Sequence, residues 1–143
     1  MLKRIFIDTS AFLALEDESD EHHEEAVRFR DQEILRGHHE CITTSYILDE
    51  TLTLIRSRLS IPASIDFSKK IRRSQVVKIV SLSKGIEDKA LDLFEKYDDK
   101  TFSCTDCVSF VVMQELGIQE AFTFDEHFVQ VGMGFSKVPP LSR

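Results

Sequence analysis

Apolar and polar positions follow two rhythms along this chain. The runs KRIFI (3–7) and VVKIVSL (76–82) are short, branched or aromatic, and lack a helical repeat; Cys41–Thr44 and IQEAFTF (118–124) read the same way. Runs that stay apolar on successive positions fit strands covered on both faces, as in a parallel sheet. Between them the period lengthens to that of a helix. Thr9–Leu15 predicts a short helix, and Ala26, Phe29 and Ile34 mark a second, capped by Ser19 or Asp20 and ended by Gly37. SYILDETLTLIRSRL places its inward positions at 47, 48, 51, 52, 54, 55 and 59, a helical pattern. Pro62 opens a helix running to about Arg73. GIEDKALDLFEKYDD aligns Ile86, Ala90, Leu91 and Phe94 on one side, and SCTDCVSFVVMQELG is a strongly apolar helix closed by Gly117. IQEAFTF predicts a last long strand reaching Asp125, and the tail through Phe135 to Pro139–Pro140 adds an edge strand.

Strands separated by helices of this length predict a three-layer α/β/α sandwich around a mainly parallel sheet. With 143 residues, five Gly, three Pro and no biased linker or repeat, one domain is expected over 1–143. In such folds ligands gather outside the carboxyl ends of the strands. Asp8 and Asp125 fall where predicted strands end.

The net charge of −7 argues against a protein that coats nucleic acid by bulk charge. It is compatible with a nuclease that meets its substrate through bound cations, which acidic residues hold. No apolar run approaches the ~20 residues of a membrane span, and Asp8 interrupts the stretch after Lys3 and Arg4, against a secretory leader. Three cysteines, an odd number, fit a reducing compartment. A soluble cytoplasmic protein is expected.

Four carboxylates border apolar segments: Asp8, Glu50, Asp106 and Asp125. Each has a plainer reading. Asp8 is an N-cap for the helix that follows it. Glu50 lies roughly 40° outside the apolar arc of its helix, the place of a solvated side chain, with Asp49 on the other flank. Asp106 completes a capping box with Ser103, and Asp125 caps the turn containing Glu126 and His127. Taken together, two sit at strand ends and two in early helical turns, all near one rim of a parallel sheet. Carboxylates that close repel and take up protons unless cations neutralise them. Hard divalent ions such as Mg²⁺ or Mn²⁺ prefer oxygen ligands, and they can activate water and neutralise a phosphate. The chemistry indicated is phosphodiester hydrolysis.

FIDTSAFLAL, SYILDETLTLI, CTDCVSFVVMQELGI and AFTFDEHFVQVGMGF, in that order, resemble the four blocks of PIN domains. The likeness is greatest to the VapC-type toxins of toxin–antitoxin pairs and their solitary prokaryotic relatives. The resemblance implies a Mg²⁺- or Mn²⁺-dependent ribonuclease with an RNA substrate, a cognate antitoxin protein and a homodimer. It assigns Asp8 to the first-strand metal ligand, Glu50 to the helical glutamate, and Asp106 and Asp125 to the third and fourth acids. Ser10 and Thr123 match the polar residues that support the site. The acidic segment Glu16–Glu25 departs from the usual pattern. RNA contacts are expected from the one basic cluster, Arg56, Arg58, Lys69, Lys70, Arg72 and Arg73, for which a solvated helix face is the plainer reading.

Other chemistries fit less well. Cys104 and Cys107 form a C-x-x-C, yet Cys41 is the only further cysteine, and His22–His23 and His38–His39 lack ligand spacing for zinc. A phosphatase pattern needs a second Asp where Ser10 stands, and no G-x-G-x-x-G follows the first strand. Two readings of the same fold stay open: a solitary RNA-processing nuclease, and a catalytically idle binding module.

Overall fold

A computed structural model describes residues 2–37 and 39–140, so His38 lies outside the described residues. Five parallel strands form one sheet in the order β3-β2-β1-β4-β5: β1 (Lys3–Ile7), β2 (His39–Thr44), β3 (Val77–Val80), β4 (Glu120–Phe122) and β5 (Ser136–Val138). The helices are α1 (Thr9–Glu16), α2 (His23–Phe29), α3 (Ser45–Arg58), α4 (Ile61–Arg73), α5 (Lys84–Lys96), α6 (Cys104–Leu116) and α7 (His127–Gln130). Connections from β1 through β2 to β3 run one way across the sheet. Those that return to β4 and β5 run the other. Right-handed crossovers therefore cover both faces, giving the three layers.

The centre of the sheet is sealed: Ile5 and Phe6 in β1, Cys41 in β2 and Ala121 and Phe122 in β4 have no solvent exposure. This explains why these strands read as continuous apolar runs rather than alternating ones. Phe110 in α6 packs edge-on against Phe102 and Phe128, joining the α6 layer to the turn after β4. α6 buries eight consecutive residues, Asp106 to Met113. Gly117 ends it at φ 68°, a left-handed conformation that side chains with a Cβ resist.

Two expectations change and a third holds. The second helix begins at His23; Asp20 Oδ1 accepts the His22 N–H instead, capping the preceding turn, and residues 30–34 continue as a π-helical turn. The long strand to Asp125 stops at Phe122, because the Phe124 and Asp125 N–H groups donate to the Ser10 and Thr123 hydroxyls rather than to a strand. The tail does form β5, parallel to β4. No described helix is long and apolar enough to cross a membrane.

Candidate metal centre

Order in the sheet reverses at β1, which makes the crevice beyond the ends of β1 and β4 its switch point. The β1–β4 register ends at Ile7 opposite Phe122, and the Asp8 N–H extends it by donating to the Phe122 carbonyl at 3.0 Å. Asp8 and Thr123 are thus neighbours by strand pairing, although 115 positions apart. Asp8 occupies the N-cap position of α1, yet its carboxylate caps nothing. Its Oδ2 accepts from Thr123 Oγ1 at 2.8 Å and Ser10 Oγ at 2.9 Å. The helix cap is therefore ruled out as the reason for this carboxylate.

Asp106 forms the expected capping box: its N–H donates to Ser103 Oγ, and its Oδ2 accepts from the Ser103 N–H, both at 3.0 Å. Asp125 Oδ1 accepts from the His127 N–H at 2.9 Å. His127 Nδ1 joins the two acids, 2.8 Å from Asp106 Oδ2 and 3.3 Å from Asp125 Oδ1. Two acceptor-only neighbours assign the ring proton to Nδ1.

The three aspartates share one arrangement. One oxygen of each is occupied by protein donors, while Asp8 Oδ1, Asp106 Oδ1 and Asp125 Oδ2 meet no donor among the described residues and are not sealed from solvent. All three aspartates line a cleft of about 340 Å³ that Glu50 also lines. Four sequence-predicted acids thus converge on one cleft, with Ser10 in its wall and Thr123 behind Asp8. Glu50 is half-buried here rather than a solvated flank, whereas Asp49 is exposed.

Burial pushes the Asp8 carboxyl up to about 6. The Thr123 and Ser10 hydrogen bonds oppose that rise, and Asp106 and Asp125 add to it. A rise from neighbouring charge was expected; loss of hydration is the larger cause. Side-chain atoms of Asp106, Asp125 and His127 lie within 4.8 Å of one another; with its proton on Nδ1 the imidazole orients the two acids, and the carboxylates are the groups an ion could share. All-oxygen sets with an occasional imidazole suit hard divalent cations. The residues present fit such an ion.

Sequence reasoning missed His127, whose only linear signal is its place two residues after Asp125. It also missed that Asp20, Glu21 and His22 of the acidic segment line the cleft. The basic cluster divides. Arg58 lines the carboxylate cleft, while Arg56, Lys69 and Arg72 line a separate groove between α3 and α4. Lys70 pairs with Glu16 at 2.7 Å, and Arg73 is exposed. The cysteines are free, and burial raises the Cys107 thiol to about 11, far from a reactive thiolate.

A parallel sheet whose switch point gathers carboxylates is the PIN architecture, and the chain belongs to the PIN domain family, which matches residues 5–133. Within it, the chain is 32% identical over 136 residues to the 23S rRNA-specific endonuclease VapC20 of Mycobacterium tuberculosis, covering 95% of this chain and 98% of that protein. It is 32% identical over 123 residues to a VapC ribonuclease of Archaeoglobus fulgidus, covering 85% and 77%. The crystal structure of M. tuberculosis VapC20, described as a Sarcin-Ricin loop cleaving toxin, superposes with a TM-score of 0.84 over 95% of this chain and 99% of that one.

Proposed function

We propose that this chain is a divalent-metal-dependent endoribonuclease of the VapC type, the toxin of a toxin–antitoxin pair, with Asp8, Glu50, Asp106 and Asp125 as its metal-binding and catalytic acids. The observation that carries the reading is the common arrangement of the three aspartates, each with one oxygen held by protein donors and all three lining the same cleft. A purely structural capping role would not require acids from three separate elements to line one cleft. Similarity to proteins named as a 23S rRNA endonuclease and a ribonuclease supports RNA as the substrate, and the VapC likeness supports an antitoxin partner.

Bound among these oxygens, Mg²⁺ or Mn²⁺ supplies a more acidic water and neutralises charge on the phosphate. The chain's own residues prepare the place. Thr123 and Ser10 fix the Asp8 rotamer, and the capping box fixes Asp106 on the first turn of α6. Such hydrogen bonds to ionised acceptors are short and directional, so each ligand is oriented before an ion arrives. The Ser10 hydroxyl donates to Asp8 and accepts the Phe124 N–H, so it is engaged in holding the acid and the turn after β4.

The test is RNA cleavage by chelator-stripped protein with Mg²⁺ or Mn²⁺ restored, beside Asp8→Asn. Cutting that returns with either metal and vanishes in the variant is expected. Cutting without metal, or none with it, overturns the reading.

A further inference from the structure

We propose that the stacked rings of His22 and Phe124 form a nucleobase subsite, holding an unpaired base of a nucleotide flanking the bond to be cut; this rests on the ribonuclease reading above. Their centroids are 4.3 Å apart and their planes differ by 4°, the most nearly parallel aromatic pair among the described residues. Both rings line the cleft that holds the four acids. The His22 side chain remains 38% exposed, so the stack is not a core contact.

The shelf is tied to the chemistry. Phe124 stands between Thr123, which holds Asp8, and Asp125, and its N–H donates at 2.9 Å to Ser10 Oγ, the other hydroxyl that holds Asp8. His22 is fixed from the opposite side by its N–H to Asp20 Oδ1 at 2.8 Å. A ring on this shelf is therefore registered against the aspartates through two hydrogen bonds.

Charge selects the part of the nucleotide that docks here. Asp20 and Glu21 line the cleft beside His22, so the rim repels a bare phosphate. A base face carries no net charge and stacks on aromatic and histidine rings whatever its sequence. Among the described residues Arg58 is the single arginine or lysine lining the cleft, and it suits the phosphate that such a base would bring. A stacked base cannot also be stacked within a duplex. The subsite therefore selects loops, bulges or single strands.

The test uses an RNA whose cut position has been mapped by end-labelling, with the base removed from either flanking nucleotide. Base–aromatic stacking corresponds to roughly a five- to hundred-fold effect. For one of the two abasic RNAs, cleavage by the natural chain is expected to fall by that order. His22→Ala should cut intact RNA more slowly by a similar factor and show little further loss on the abasic RNA, while His22→Trp restores the intact substrate. Mn²⁺ titrations of His22→Ala and the natural chain should coincide. Additive losses, a His22→Ala chain as active as the natural one, or a weakened Mn²⁺ titration overturns the subsite while leaving the ribonuclease standing. A natural chain that cuts no RNA overturns both.

Discussion

His127 Nδ1 sits 2.8 Å from Asp106 Oδ2, the oxygen that already accepts the Ser103 N–H. The imidazole thus reinforces the capping box rather than competing for the free oxygen. It holds Asp106 from α6 and Asp125 from the turn after β4 to one centre.

Partners that orient metal ligands typically affect metal affinity by about 10–100-fold when removed. His127→Ala should weaken Mn²⁺ binding by that order, measured by electron paramagnetic resonance titration. His127→Asn, whose amide nitrogen overlays Nδ1, should recover part of it. Equal Mn²⁺ affinity in all three chains would leave His127 with a packing role against Phe102.

Asp8 couples the centre to folding. Its carboxyl is raised from 3.8 to about 6, so the metal-free fold favours the protonated form. The associated stability is complete below about pH 4 and disappears as pH rises through about 6, amounting to about 3 kcal/mol. Without metal, Asp8→Asn should therefore be more stable than the natural chain at pH 7.5 by up to that amount, with the gap closing at pH 4. Urea midpoints at the two pH values measure it. A constant gap would contradict the burial of an ionisable Asp8.

Thr123→Val keeps the volume and removes the hydroxyl that lowers the Asp8 carboxyl. The Asp8 titration should move above 6 by carbon NMR of the carboxyl, since a hydrogen bond to a charged group contributes about 1.5–3 kcal/mol. The Asp125 N–H loses its acceptor in the same variant, so metal affinity should fall as well.

Arg58 and Lys70 came from one basic cluster and now predict different outcomes. Arg58→Ala should slow RNA cleavage and reduce the salt dependence of substrate binding by a slope of about 1. Lys70→Ala should leave that slope nearly unchanged, because Lys70 is held by Glu16 on the other side of α4. Equal slopes for the two variants would restore the cluster as a unit.

The sheet and most helices were legible because burial on two faces and on one face leave different periods. Less legible was whatever depended on two elements meeting. Periodicity measures Glu50 against the apolar arc of α3 alone, and a polar cleft beside that arc looks the same as solvent. β4 ends early because hydroxyls from α1 and its own turn take the next N–H groups, a competition invisible in IQEAFTF. Asp8 reads as a cap or a ligand from the sequence alone, and what removes the cap reading is the hold on its carboxylate by Ser10 and by Thr123, 115 positions away. His127 needed the approach of α6 to the turn after β4.

The hydrogen bonds that hold Asp8 and place Phe124 join residues 115 and 114 positions apart. Closing so long a loop is slow relative to local helix formation, and it requires β4 to dock beside β1. Asp8 therefore lacks the partners that orient it until β4 has docked, which makes the centre a late event in folding. The docking that completes the sheet is thus the same event that completes the carboxylate centre.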